Sequence, residues 1–230
     1  MKNISLLILI FVFLGCKKNV KENLVSVNPE TNQRDSINKK DNAIPKKHQV
    51  SYPINYIKIE PDSIKTDFKK DSINVNQSLW YDNIQLITGT IDNNKNGIHL
   101  IVLNSEGKIL YKSKGQLDSW RYKPTLFKSN QNKRVIVINE IGAEESWGVD
   151  IQEYNNNVYR EIGLLDIVAL NEYEESLNVT PFIKVQGLKD SVLQFSFDQN
   201  SKIFDSESES TIQGNKLLYR FQNNKLRRVY

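Results

Sequence analysis

The chain has 230 residues, two histidines, one cysteine and a formal net charge of +4. A single cysteine excludes an internal disulfide, and with only two histidines beside it no zinc site of ordinary spacing is available. Residues 17–50 hold eight Lys/Arg and four Asp/Glu, whereas residues 51–230 hold twenty-two and twenty-three, so the positive charge belongs to the N-terminal arm. The near-neutral remainder removes the main electrostatic case for nucleic-acid binding.

The first sixteen residues begin with Met1-Lys2-Asn3, continue through the apolar stretch 4–14 and end in Leu14-Gly15-Cys16. The apolar run is about half the length a spanning helix needs. Together these residues resemble a bacterial lipoprotein signal peptide with a Bacteroidetes-type lipobox, with Phe13 where leucine is usual. The resemblance implies cleavage before Cys16, acyl chains on that cysteine and a lipid-membrane partner. The residues that follow, Lys17-Lys18-Asn19-Val20, carry no aspartate beside the cysteine, so the expected location is the outer membrane facing the periplasm.

Residues 1–15 are therefore expected as a signal peptide and 16–50 as a flexible basic tether. The tether has Pro29 and Pro45, no aromatic residue and no apolar period, and cannot bury enough surface to offset its ordering entropy. Residues 51–78, with Pro53, Pro61 and the motifs Asp62-Ser63-Ile64 and Asp71-Ser72-Ile73, read as an extended lead-in with one edge strand at most. The compact domain is expected over 79–230.

Short runs rich in Ile, Val, Tyr and Phe predict strands at 84–91, 98–103, 108–112, 135–141, 149–154, 158–162, 192–197, 217–221 and 226–230. Residues 172–177 are the one stretch with a helical reading. Polar tips at 104–107, 130–132, 155–157, 199–201 and 223–224 recur at about 25 residues, and once at about twice that spacing. Asparagine tolerates positive φ, which suits such tips. The expected fold is all-β: an antiparallel up-and-down meander of hairpins forming a curved sheet, sandwich or incomplete propeller, with little helix. The segment from Gly89 to Gly107 resembles one integrin-type FG-GAP repeat, with an Asp/Asn-Gly loop, an apolar strand and a further turn. That resemblance implies propeller-like β repeats.

Three places carry candidate chemistry. In Asp92-Asn93-Asn94-Lys95-Asn96-Gly97, oxygen ligands at alternate positions resemble a calcium loop, but position twelve is Leu103 and not a bidentate carboxylate. A plain hairpin turn is favoured there, and no metal. Glu140, Glu144, Glu145 and Asp150 lie around Trp147 and two glycines; paired carboxylates beside an aromatic are what a glycosidase uses. The favoured alternative is a solvated acidic loop with Trp147 in the core, and a ligand-binding role for the loop and Trp147 ranks above catalysis. In Trp120-Arg121-Tyr122, aromatics beside a cation suit either a recognition surface or the cover of a sheet end. His48 falls in the tether, and His99 in a strand is expected as an exposed residue without a catalytic role.

No Gly-x-Ser-x-Gly elbow, phosphate loop or dinucleotide fingerprint occurs, so no cofactor is expected. These features favour a non-enzymatic envelope lipoprotein binding a protein or glycan, one form of which is an immunity or inhibitor protein. The alternatives are a glycoside hydrolase using the paired carboxylates and a structural or assembly subunit of the envelope.

Overall fold

The computed structural model describes residues 50–91 and 95–229. Cys16, the signal and tether segments up to residue 49, His48, Asp92, Asn94 and Tyr230 lie outside the described residues. The first strands are β1 (Ile54–Ile59), β2 (Ser63–Lys70), β3 (Ile73–Tyr81), β4 (Ile84–Ile91), β5 (Ile98–Asn104) and β6 (Ile109–Lys112). Then follow β7 (Arg121–Ser129), β8 (Val135–Gly142), β9 (Ser146–Asn155), β10 (Val158–Leu165), β11 (Ile167–Leu170) and β12 (Ser176–Leu177). The last are β13 (Ile183–Lys189), β14 (Val192–Phe197), β15 (Lys202–Asp205), β16 (Ser210–Gln213), β17 (Leu218–Gln222) and β18 (Lys225–Arg228). Helix among the described residues is confined to two three-residue 3-10 turns, at Thr180–Phe182 and Gly214–Lys216.

All pairings are antiparallel, and the strands form three sheets. Nine strands run β10-β9-β8-β7-β1-β13-β14-β17-β18, five run in sequence from β2 to β6, and four run β12-β11-β15-β16. The nine-stranded sheet curls until its two edges approach. A Cβ on Gly163 of β10 would stand 3.2 Å from Leu226 of β18, and Gly163 has φ +143°, so this close approach suits glycine. The result is a nearly closed barrel.

Alternation along the strands produces two large apolar cores, and a smaller cluster of Val75, Ile87, Ile101 and Leu103 forms on the five-stranded sheet. Ile136 and Ile138 of β8, Val149 and Ile151 of β9, and Phe195 of β14 fill the barrel, together with Ile167, Ala169 and Ile203 from the four-stranded sheet. The opposite face of the same strands presents Val135, Val137, Tyr122 and Leu126 to Leu79, Leu86, Leu100 and Val102 of the five-stranded sheet. Every residue of β8 is buried, because both of its faces are covered. This is why residues 135–138 read as an unbroken apolar run and not as an alternating one.

The all-β, antiparallel, curved-sheet expectation is met, and the predicted runs coincide with strands, while three expectations change. Residues 51–78 are not a lead-in: they supply β1, β2 and most of β3, and β1 sits inside the large sheet between β7 and β13 with Ile54 fully buried. Residues 172–177 form a turn and the short β12, not a helix. Four of the recurring tips close hairpins, one in the five-stranded sheet and three in the nine-stranded sheet, while 199–201 joins β14 to β15 of a different sheet, so the tips do not repeat one unit.

Candidate functional site

The four candidate carboxylates lie around the β8–β9 hairpin. Asn139 pairs with Asp150, and Glu140 with Val149. Strand alternation therefore turns Glu140 and Asp150 to opposite faces of the sheet. Glu140 follows Ile136 and Ile138 on the barrel side, where it is buried, accepts a hydrogen bond from Asn178 Nδ2 at 3.0 Å and lies 3.7 Å from the Arg121 guanidinium. Arg121 also donates to the Glu144 carbonyl at 2.7 Å, which ties β7 to the hairpin tip. Glu144 and Glu145 themselves are exposed.

Asp150 faces the layer between the sheets and accepts a hydrogen bond from the Tyr122 hydroxyl. Burial raises the Asp150 carboxyl above its ordinary range, and the bond from Tyr122 offsets part of that. Burial also pushes the Tyr122 hydroxyl well up, so it stays protonated and donates. Tyr122 is thus a core residue and not part of a recognition surface. Trp120 and Trp147 remain exposed, at 60% and 39%. Trp147 does not pack into the core, and the carboxylates do not converge beside it in one groove. His99 is buried, not exposed, with Nδ1 2.9 Å from the Ser113 carbonyl oxygen. Asn96 is exposed. Among the described residues no group of three or more His, Cys, Asp or Glu is placed to hold a metal.

The structure forms a different concavity, which the sequence reading missed. Two hairpin tips, Asp82-Asn83 between β3 and β4 and Asn156-Asn157 between β9 and β10, face each other across the layer between the sheets. Asp82, Asn156 and Asn157 all have positive φ, the backbone that two-residue hairpin loops require and that Asn and Asp tolerate. A tyrosine stands at the end of the strand before the first tip, Tyr81, and one residue from the end before the second, Tyr154. Tyr154 is buried, and its hydroxyl lies 2.9 Å from Asn157 Oδ1 and 3.3 Å from Asn83 Oδ1, which links the two tips. Asp62 Oδ2 accepts a hydrogen bond from the Asp82 amide at 2.9 Å and holds the first tip in place.

Between the tips lies an open cleft of about 590 Å³, lined by Tyr81, Tyr154, Asp62, Asp82, Lys128, Lys133 and the three asparagines. The Lys128 ammonium sits 5.8 Å from the centre of the Tyr81 ring, and its contact with the Tyr81 hydroxyl holds its pKa above the usual value. Two carboxylates balance two ammonium groups. The lining holds no histidine, cysteine or serine. It offers amide donors and acceptors, charged hydrogen-bonding groups and tyrosine surface, which together suit a polar ligand held by hydrogen bonds and ring contact. The signal in the sequence was the recurrence of tyrosine directly before an Asx-rich tip, in Tyr81-Asp82-Asn83 and Tyr154-Asn155-Asn156-Asn157.

Among the described residues no helix is long and apolar enough to cross a membrane. No family model matches the chain, and neither a curated protein nor a solved structure matches it.

Proposed function

We propose that the chain is a lipid-anchored envelope protein whose β domain binds a glycan, with peptidoglycan fragments as the ligand class, in the cleft between the two sheets. The observation that carries this reading is the cleft itself. Its charges are balanced, it is lined by two tyrosines, three asparagines, two aspartates and two lysines, and it is held by the Tyr154 hydroxyl between the two tips and by the Asp62–Asp82 bond at the first. Sugars present hydroxyl and amide groups around an apolar ring face, and this lining complements both. The anchor rests on the lipobox resemblance at Cys16.

The binding test is titration of the full chain with soluble muropeptides followed by calorimetry. Tyr81→Ala is expected to weaken binding at least tenfold, and Lys133→Ala, at an exposed rim position, to weaken it several-fold without loss of fold. Absence of binding, or equal binding by the parent and both variants, would sink the proposal. The anchor is tested separately by labelled palmitate, which the parent should incorporate and Cys16→Ser should not.

A further inference from the structure

Residues 214–230 contain five Lys/Arg and no Asp/Glu, whereas residues 51–213 contain seventeen and twenty-three. An otherwise acidic domain therefore ends in a basic hairpin, β17–β18. Alternation divides these cations between two faces. Arg228 turns inward with Tyr219 and Phe221, and its Nη1 lies 2.5 Å from the buried carboxylate of Asp205. Arg220, Gln222, Lys225 and Arg227 share the outward face, because Arg220 pairs directly with Arg227 and Gln222 with Lys225.

That face continues across the neighbouring strands as a row of uncharged polar residues, Asn55, Gln186 and Gln194. Asn55, Gln186, Gln194, Arg220 and Arg227 stand opposite one another across five successive strands. Gln186 donates to Asn55 at 3.0 Å, and Arg220 Nη2 reaches Gln194 Oε1 only at 3.4 Å. The Arg220 Nε is buried and has no hydrogen-bond partner. No carboxylate among the described residues is paired with Arg220, Lys225 or Arg227.

Like charges directly opposite on adjacent strands repel. An orphaned buried guanidinium N–H adds a desolvation cost. Both are relieved by one anion bound between the two guanidinium forks, whose planar donor geometry matches a phosphate oxygen pair. An open groove of about 660 Å³ lies at this position, lined by Arg220, Gln222, Lys225 and Arg227 among others.

We infer that the outward face of the β17–β18 hairpin is a phosphate-binding site, in which Arg220 and Arg227 clamp a phosphate ester and Lys225 supplies a third positive charge. The site is separate from the cleft between the sheets and shares no lining residue with it. The ester is presented either on a soluble ligand or on a phospholipid headgroup, and the two are separated by probe.

The full chain is heated in inorganic phosphate and in chloride at matched ionic strength, with the melting temperature as readout. A ligand bound to the native state raises that temperature in a saturable way. Phosphate is expected to raise it above the chloride control, and Arg227→Gln, at an exposed position, to weaken the apparent affinity at least tenfold. Lys202→Gln on β15 serves as a control and should leave the response intact. Dihexanoyl phosphatidylglycerol below its micelle concentration forms the second arm. Tighter binding of this lipid than of inorganic phosphate assigns the headgroup, and the reverse order assigns a soluble phosphate ester. Equal responses in the parent and Arg227→Gln, or no response to either probe beyond ionic strength, would overturn the site. Neither outcome bears on muropeptide binding at Tyr81.

Discussion

Glu153 is the residue whose loss the structure prices most clearly. It lies on the barrel face of β9, where its carboxylate accepts from Arg134 Nε at 2.6 Å through one oxygen and pairs with Arg160 through the other. The Glu153 side chain is 4% exposed, that of Arg134 9% and that of Arg160 34%. Arg134 also donates to the Asp190 carbonyl at 2.7 Å, and the Arg160 guanidinium lies 5.1 Å from the centre of the Phe221 ring. Beside them the Tyr56 hydroxyl is pushed up to about 12, chiefly by burial, and remains neutral. Glu153→Gln keeps the shape and removes the charge, which leaves two guanidinium groups uncompensated. Removing one member of a buried pair costs about 3–5 kcal/mol. Arg160 retains water access, so the lower end applies, about 3 kcal/mol. For a domain of this size that is a fall in melting temperature of about 6–12 °C. Urea unfolding followed by tryptophan fluorescence measures the loss directly. The cycle with Arg134→Met supplies the internal check, because the double variant should lose less than the sum of the singles. A loss below about 1 kcal/mol in Glu153→Gln, with additive singles, would refute the reasoning.

Ile54→Ala should cost about 2–5 kcal/mol, since Ile54 is fully buried in a central strand. A cost near zero in guanidinium unfolding would return residues 51–59 to the role of a lead-in. Asp150 gives a pH signature. Its folded pKa is raised above 3.8, so between that value and the raised one the folded chain holds a proton that the unfolded chain has released. Stability should therefore fall as pH rises through this window, and the slope should be smaller in Asp150→Asn, measured by urea titration at successive pH values. Gly89→Ala places a Cβ 2.3 Å from the Asn74 carbonyl oxygen and should cost about 1–3 kcal/mol through forced displacement of β3. The β3–β4 register shifts between Val75 and Gln77, and an unchanged melting temperature would show that β3 yields freely there.

What could be read from sequence follows the physics of burial. β4, β5 and the first half of β8 are buried on both faces, so their apolar composition marks them. The Asx-rich tips mark themselves through positive φ. β1 escaped because it is short, lies between Pro53 and Pro61, and owes its place to partners far along the chain. β7 escaped because Pro124 argues against a strand. In the structure Pro124 falls beyond the β1 ladder, which reaches only Leu126, so that end of β7 lacks its β1 neighbour and tolerates proline. The candidate site was hidden for a related reason. Tyr81 and Tyr154 share a pattern in sequence, but only the stacking of two sheets brings their tips together. Conversely, Glu140 and Asp150 are close in sequence and separated by the pleat.

The position of β1 also sets an order of events. It is the first strand of the described domain to leave the ribosome, yet its neighbours begin at Arg121 and Ile183. The ladders from β2 to β6 and from β7 to β10 need only successive hairpins, which close early and cheaply in loop entropy. The large sheet has no continuous middle until β13 has been made. A chain interrupted before residue 183 would thus hold two finished hairpin stacks with β1 exposed along one side, an unpaired edge of the kind that recruits other chains. The last quarter of the sequence, which carries the basic hairpin, is also what seals the barrel.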